Sequence, residues 1–206
     1  MSRGTRDRFH GRIAGLGSSS GVRVVVGRWD HTPLGRFADV MLAEPDGTRV
    51  LLAPDDEVAE FVAATYTFDR VETGPVTVVG DEHWRVSAPG LEVGFDVGTR
   101  LPLGRLLRAV PGPLAVAPAW SAVTDPIARR VMHGVRTRGT AGNGRREYYG
   151  ATDLRRITAS HGSWRDQPLG TLADVDPEPG FGFGSTPRTP SVTWLVTTIE
   201  WESPTR

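Results

Sequence analysis

Apolar and polar positions alternate most regularly over residues 22–66, VRVVVGRWDHTPLGRFADVMLAEPDGTRVLLAPDDEVAEFVAATY. Residues 22–29 are rich in β-branched side chains and predict a strand. Thr32-Pro33-Leu34-Gly35 supplies the turn that follows, because proline presets φ and glycine accepts a positive one. In the next strand Phe37, Asp39 and Met41 share one face, and Ala38, Val40 and Leu42 share the other. Pro45-Asp46-Gly47 closes a hairpin into residues 48–52. Pro54-Asp55-Asp56-Glu57 then opens a helix, with its acids at the positive end of the helix dipole. Val58, Phe61, Val62 and Thr65 recur at helical spacing, so this helix lays one apolar face on the sheet.

Beyond that unit the pattern is a meander. Residues 71–79 return as a strand, broken by Gly74-Pro75, which places them at an edge or a bulge. Short strands follow over 84–87 and 91–97, the second alternating through Leu91, Val93, Phe95 and Val97. Leu103, Leu106, Leu107 and Val110 predict a short amphipathic helix over 101–110, stopped by Pro111-Gly112-Pro113. Residues 114–120 read as an edge strand or an extended connection, and Asp125-Pro126 as the start of a short helix over 127–132. Strands resume over 134–140, over 145–159 as one bent strand or two, and over 169–175. The last, 191–201, has apolar residues on both faces, which suits a position covered on both sides. The expected fold class is α+β: a single domain over 22–206, with a mostly antiparallel, curved or barrel-like sheet and a few short helices. Residues 1–21, rich in Arg, Gly and Ser, read as a flexible N-terminal arm.

Composition narrows the chemistry. The 206 residues carry 24 basic and 24 acidic side chains, and this zero formal charge argues against a general nucleic-acid binder. All of the basic residues are arginine. Without lysine, no side chain can form a Schiff base, and without cysteine there is no disulfide, thiolate metal site or Cys nucleophile. No apolar run approaches the roughly 18 residues of a membrane helix, so no membrane partner is expected and the cytoplasm is the expected location.

Several motifs hold candidate chemistry. Eight arginines, Arg129, Arg130, Arg136, Arg138, Arg145, Arg146, Arg155 and Arg156, face only Glu147 and Asp153 in the same stretch, with Tyr148 and Tyr149 between. Such forks suit a carboxylate, a phosphate or RNA; they equally suit solvated strand faces. The glycine-rich 180–187 and 139–144 lack the strand-to-helix setting of a phosphate loop and read as turns. The five histidines show no ligand spacing, so no metal and no cofactor are expected.

The order of elements resembles the acetoacetate decarboxylase-like superfamily. Three stretches carry the likeness: PLGRFADV at 33–40, the helix over 58–66 with its return strand, and the ending LADVDPEPGFGFGSTPRTPSVTWLVTTIEW. The resemblance implies a mostly antiparallel sheet wrapped around a small-molecule cavity. It also implies that Asp39 stands near an acidic cavity residue of the family. A lysine nucleophile would follow the helix there, whereas this chain reads Ala64-Thr65-Tyr66-Thr67-Phe68-Asp69, with Phe68 near the lysine's place. Decarboxylation through an imine is therefore excluded. The expected ligand-binding set is Arg28, Trp29, Phe37, Asp39, Met41, Phe68 and Arg136, around a small apolar or acidic ligand. Asp39 is the one catalytic candidate, unless it is an edge charge at the sheet rim. The main reading is a small-molecule binder. An enzyme of lyase or hydratase type, with Asp39 as base and arginine as support, is the alternative, and an Arg-mediated interaction or RNA-binding module the third. Self-association into a homo-oligomer stays open.

Overall fold

The computed structural model describes residues 6–111, 138–141, 145–182 and 186–201. The expected elements over 114–120 and 127–132 lie outside them. Among the described residues the chain is mostly β, with thirteen strands and two helices. In chain order these are β1 (Arg6–Ser18), β2 (Arg23–His31), β3 (Phe37–Ala43), β4 (Arg49–Ala53), α1 (Asp56–Ala63), β5 (Arg70–Thr73), β6 (Thr77–Val79), β7 (His83–Ala88), β8 (Leu91–Arg100), α2 (Pro102–Ala109), β9 (Arg138–Ala141), β10 (Arg145–Trp164), β11 (Gln167–Pro168), β12 (Leu172–Ala173) and β13 (Ser191–Trp201). The curved, mostly antiparallel sheet of the sequence reading is present, and with only two short helices the molecule sits closer to an all-β architecture than to α+β.

The strands run β5-β4-β3-β2-β1-β13-β10-β8-β7-β6, and β4–β5 is the parallel pair. The break at Gly74-Pro75 has a larger consequence than a bulge. It separates β5 from β6, which stand at opposite ends of that order. Four Cα steps from Thr73 to Thr77 span at most roughly 14 Å, so the sheet must curl until its two edges nearly meet. Polar contacts cross the same gap. Trp164 Nε1 donates to Glu44 Oε1 at 2.8 Å, and Arg165 pairs with Glu72 at 2.5 Å.

Curling gives the half-barrel an inside and an outside. The concave face gathers Leu16, Val24, Leu42 and Leu52 from one arm with Trp84, Phe95, Ile157 and Val192 from the other, and these pack as one cluster. The opposite face carries a second cluster, in which Leu51 and Ala53 of β4 meet Val58, Ala59 and Val62 of α1. Helix α1 therefore sits on the convex side. Its start is fixed by Asp55, whose carboxylate accepts from Val58 N at 2.9 Å. Replacing Asp55 by Ala is expected to cost about 1 kcal/mol in urea unfolding, as loss of an N-cap does; an unchanged midpoint would show that packing alone holds the helix.

The expected flexible arm is corrected by the structure. Residues 6–18 form β1, which pairs with β2 on one side and β13 on the other. Phe9, Ala14 and Leu16 are buried. Its glycines mark close approach rather than looseness: a Cβ on Gly15 would overlap Thr186, and one on Gly17 would overlap the Asp174 carbonyl.

Candidate functional site

Strand alternation sends one set of side chains from each central strand to the convex face, and α1 with the chain after it forms a roof over them. Gly27 and Trp29 of β2 stand beside Phe37, Asp39 and Met41 of β3, with Gly27 directly opposite Asp39 in register. Phe9 and Ile13 of β1, and Thr197 and Ile199 of β13, continue the floor. Strand β10 adds Glu147 and Tyr149, and the roof supplies Phe61, Val62, Thr65 and Tyr66. Together they enclose a cavity of about 60 Å³, room for roughly five water-sized bodies. Its wall is largely aromatic: the Phe9 ring stacks on Phe61 at 5.0 Å and meets Trp29 edge-on at 6.0 Å.

Asp39 is 4% exposed, and its Oδ1 accepts from Trp29 Nε1 at 2.9 Å. That bond depends on Gly27, where a Cβ would overlap Asp39 Oδ1 and fall 2.7 Å from Trp29 Nε1. Among the described residues Trp29 is the only hydrogen-bond partner of the Asp39 side chain. Burial pushes its pKa up to about 6 from 3.8, and the Trp29 bond only partly opposes the shift. Glu147 is also buried. It accepts from Thr65 Oγ1 at 3.2 Å and from the Tyr149 hydroxyl at 3.1 Å. With that proton committed to Glu147, the Tyr149 oxygen accepts from the Tyr66 hydroxyl. Burial, then the nearby Glu147 charge, raises the Tyr66 pKa; burial and the neighbouring Tyr66 raise that of Tyr149, so both phenols stay protonated. Thr197 Oγ1 is buried without a hydrogen-bond partner among the described residues, a vacancy that a donor or acceptor in the cavity would fill.

Of the residues expected here from sequence, Trp29, Phe37, Asp39 and Met41 line this one cavity. Asp39 is not an edge charge, since β3 lies inside the sheet. Phe68 is displaced: it packs on Phe181 at 5.7 Å, in the neighbouring cluster with Val25 and Ala43. Arg28 is on the wrong face. It alternates with Gly27 and Trp29, so it points to the concave side, where it donates to the Gly80 carbonyl at 2.6 Å and lies over the Trp84 ring. Arg136 lies outside the described residues. Glu147, Tyr149 and Thr197 were missed as site residues. Their own alternation was readable, but which face would meet α1 was not.

No group of three or more metal-ligating side chains is gathered among the described residues, and no helix among them is long and apolar enough to cross a membrane. Compared with family models, with curated proteins and with solved structures, the chain finds no match in any of the three. Functional argument therefore rests on the cavity.

Proposed function

We propose that the protein binds a small, largely apolar solute carrying a hydrogen-bond donor, with the donor at Asp39 and the apolar part against the aromatic wall. The observation that carries this reading is a buried carboxylate in a largely apolar cavity whose hydrogen-bond partner among the described residues is Trp29 alone; the partnerless Thr197 hydroxyl stands farther along the same lining. The likeness to acetoacetate decarboxylase-like proteins supports a small-molecule role, while the absence of lysine removes their imine chemistry. An acidic ligand suits this cavity poorly. Arg28 faces away, and above pH 6 Asp39 is ionised.

The size limit makes the reading testable with simple probes. Ligand-observed NMR with isopropylamine, 2-propanol and acetate should show the amine and the alcohol bound and acetate excluded. Amine affinity should fall as pH drops through about 6, because protonated Asp39 no longer attracts an ammonium group. Asp39→Asn should weaken binding of the amine. Equal binding of acetate, or no binding by any of the three, would refute the proposal.

A second reading is favoured by one feature. A carboxyl with a pKa of about 6, close to a tyrosine pair, suits proton transfer near neutral pH, as the lyase or hydratase alternative requires. An activity whose rate rises through a pKa near 6 and is lost in Asp39→Asn would move the assignment from binder to enzyme.

A further inference from the structure

The acidic ligand that the convex cavity disfavours has a better place elsewhere. We propose that the groove between α2 and the β1–β13–β10 stretch, on the concave side of the sheet, binds a small organic carboxylate with a flat apolar body. This site is independent of the cavity beneath α1.

The groove encloses about 460 Å³, the range of ordinary ligand sites. Its centre is Trp194 of β13, half-buried and opposite Arg12 in register. The guanidinium of Arg12 lies over the Trp194 ring at 5.4 Å, and that of Arg155 at 5.3 Å. Stacking on the indole holds both groups in place before any ligand arrives, so little freedom remains to be lost on binding. Arg108, from the last turn of α2, also lines the groove and has no acidic partner among the described residues.

Two of the three acids of the lining are already engaged. Asp81 is held by Arg12 at 2.5 Å and by Arg28 at 3.6 Å, and these contacts keep its carboxyl below the usual range. Asp153 is gripped by Arg100 through two bonds of 2.7 and 3.0 Å and by the Leu154 amide at 2.8 Å. Arg155 stands 3.5 Å from that already engaged carboxylate. Within the lining, Arg12 is engaged by Asp81 with Arg28 behind it, Asp153 is answered mainly by Arg100 from outside, and Glu82 is exposed. The three arginines and three acids of the lining balance, and Arg28 and Arg100 beside it make the surroundings positive. Arg108 and Arg155 offer guanidinium forks suited to two carboxylate oxygens, while Trp194, Leu107 and Val110 offer apolar surface to the rest of the ligand.

Calorimetric titration at constant ionic strength tests the assignment, with benzoate as probe, benzamide as its neutral counterpart and phenyl phosphate as the competing anion. Saturable one-to-one binding of benzoate is expected, without binding of benzamide. Arg108→Ala and Arg155→Gln should each weaken it roughly tenfold, the effect of losing one charged hydrogen bond. Asp39→Asn should leave it unchanged, since that residue belongs to the other site. Arg108 is exposed and carries no structural bond, so its variant decides the question if Arg155→Gln lowers the melting temperature. Binding of benzamide as tight as benzoate, benzoate binding indifferent to Arg108→Ala, a response to phenyl phosphate alone, or no saturable binding would each overturn the proposal.

Discussion

Val192→Asp is expected to abolish cooperative folding. Val192 lies on β13, which is flanked by β1 and β10 at the middle of the strand order, and its side chain is fully buried in the concave cluster with Ala14 and Ile157. A carboxyl placed there either ionises in a dry setting or is protonated with a pKa raised by roughly 3–5 units, and both routes cost several kcal/mol. A domain of this kind has a net stability of about 5–15 kcal/mol, so the substitution removes much or all of it. Urea unfolding followed by tryptophan fluorescence should show a broad or absent transition. A variant with the wild-type midpoint would mean that β13 is not the centre of the fold.

The second large effect concerns Asp39 and has a definite sign. Its folded pKa of about 6 stands above the ordinary 3.8, so between these values the folded state holds a proton that the unfolded state releases. Stability from this group is therefore full below about pH 4, declines as pH rises through the window, and above pH 6 the fold carries a cost of about 3 kcal/mol. Asp39→Asn keeps an oxygen to accept from Trp29 and removes the titration. Relative to wild type, the Asn variant should gain about 3 kcal/mol between roughly pH 4 and pH 8, read from urea unfolding at a series of pH values. Comparing the two proteins cancels the other carboxylates, such as Asp69, whose pKa the Arg49 contacts hold down at about 2. A constant difference across the range would mean that Asp39 is well solvated, and the dry-cavity argument would fail with it.

Local rules carry much of this fold. Alternation and turn chemistry locate β2, β3, β4, β7, β8 and β13 to within a few residues, and the acids after Pro54 locate α1. The same alternation puts Phe37, Asp39 and Met41 on one face, which is why the β3 part of the cavity floor was readable. Alternation alone also separates Arg28 from Trp29; placing both at one site ignored the period of the strand. The opening residues misled for a different reason. Glycine and serine in 11–20 are shared by loose segments and by strands pressed against a neighbour, and only the neighbour distinguishes them.

By itself, the sequence determined the β-rich character, the helices expected over 58–66 and 101–110 to within a few residues, the missing lysine and cysteine, and hence the chemistry that is excluded. The tertiary structure decided which faces meet. Strand β1 had to enter between β2 and β13, and α1 had to cover the convex face, before Asp39 could share a cavity with Glu147 and Thr197. The same strand order brings Arg12, Trp194 and Arg155 side by side, in one groove with Arg108 of α2. Periodicity is a property of a few consecutive residues, whereas burial of a carboxylate, and the pKa that follows from it, depends on partners more than a hundred residues away in the chain.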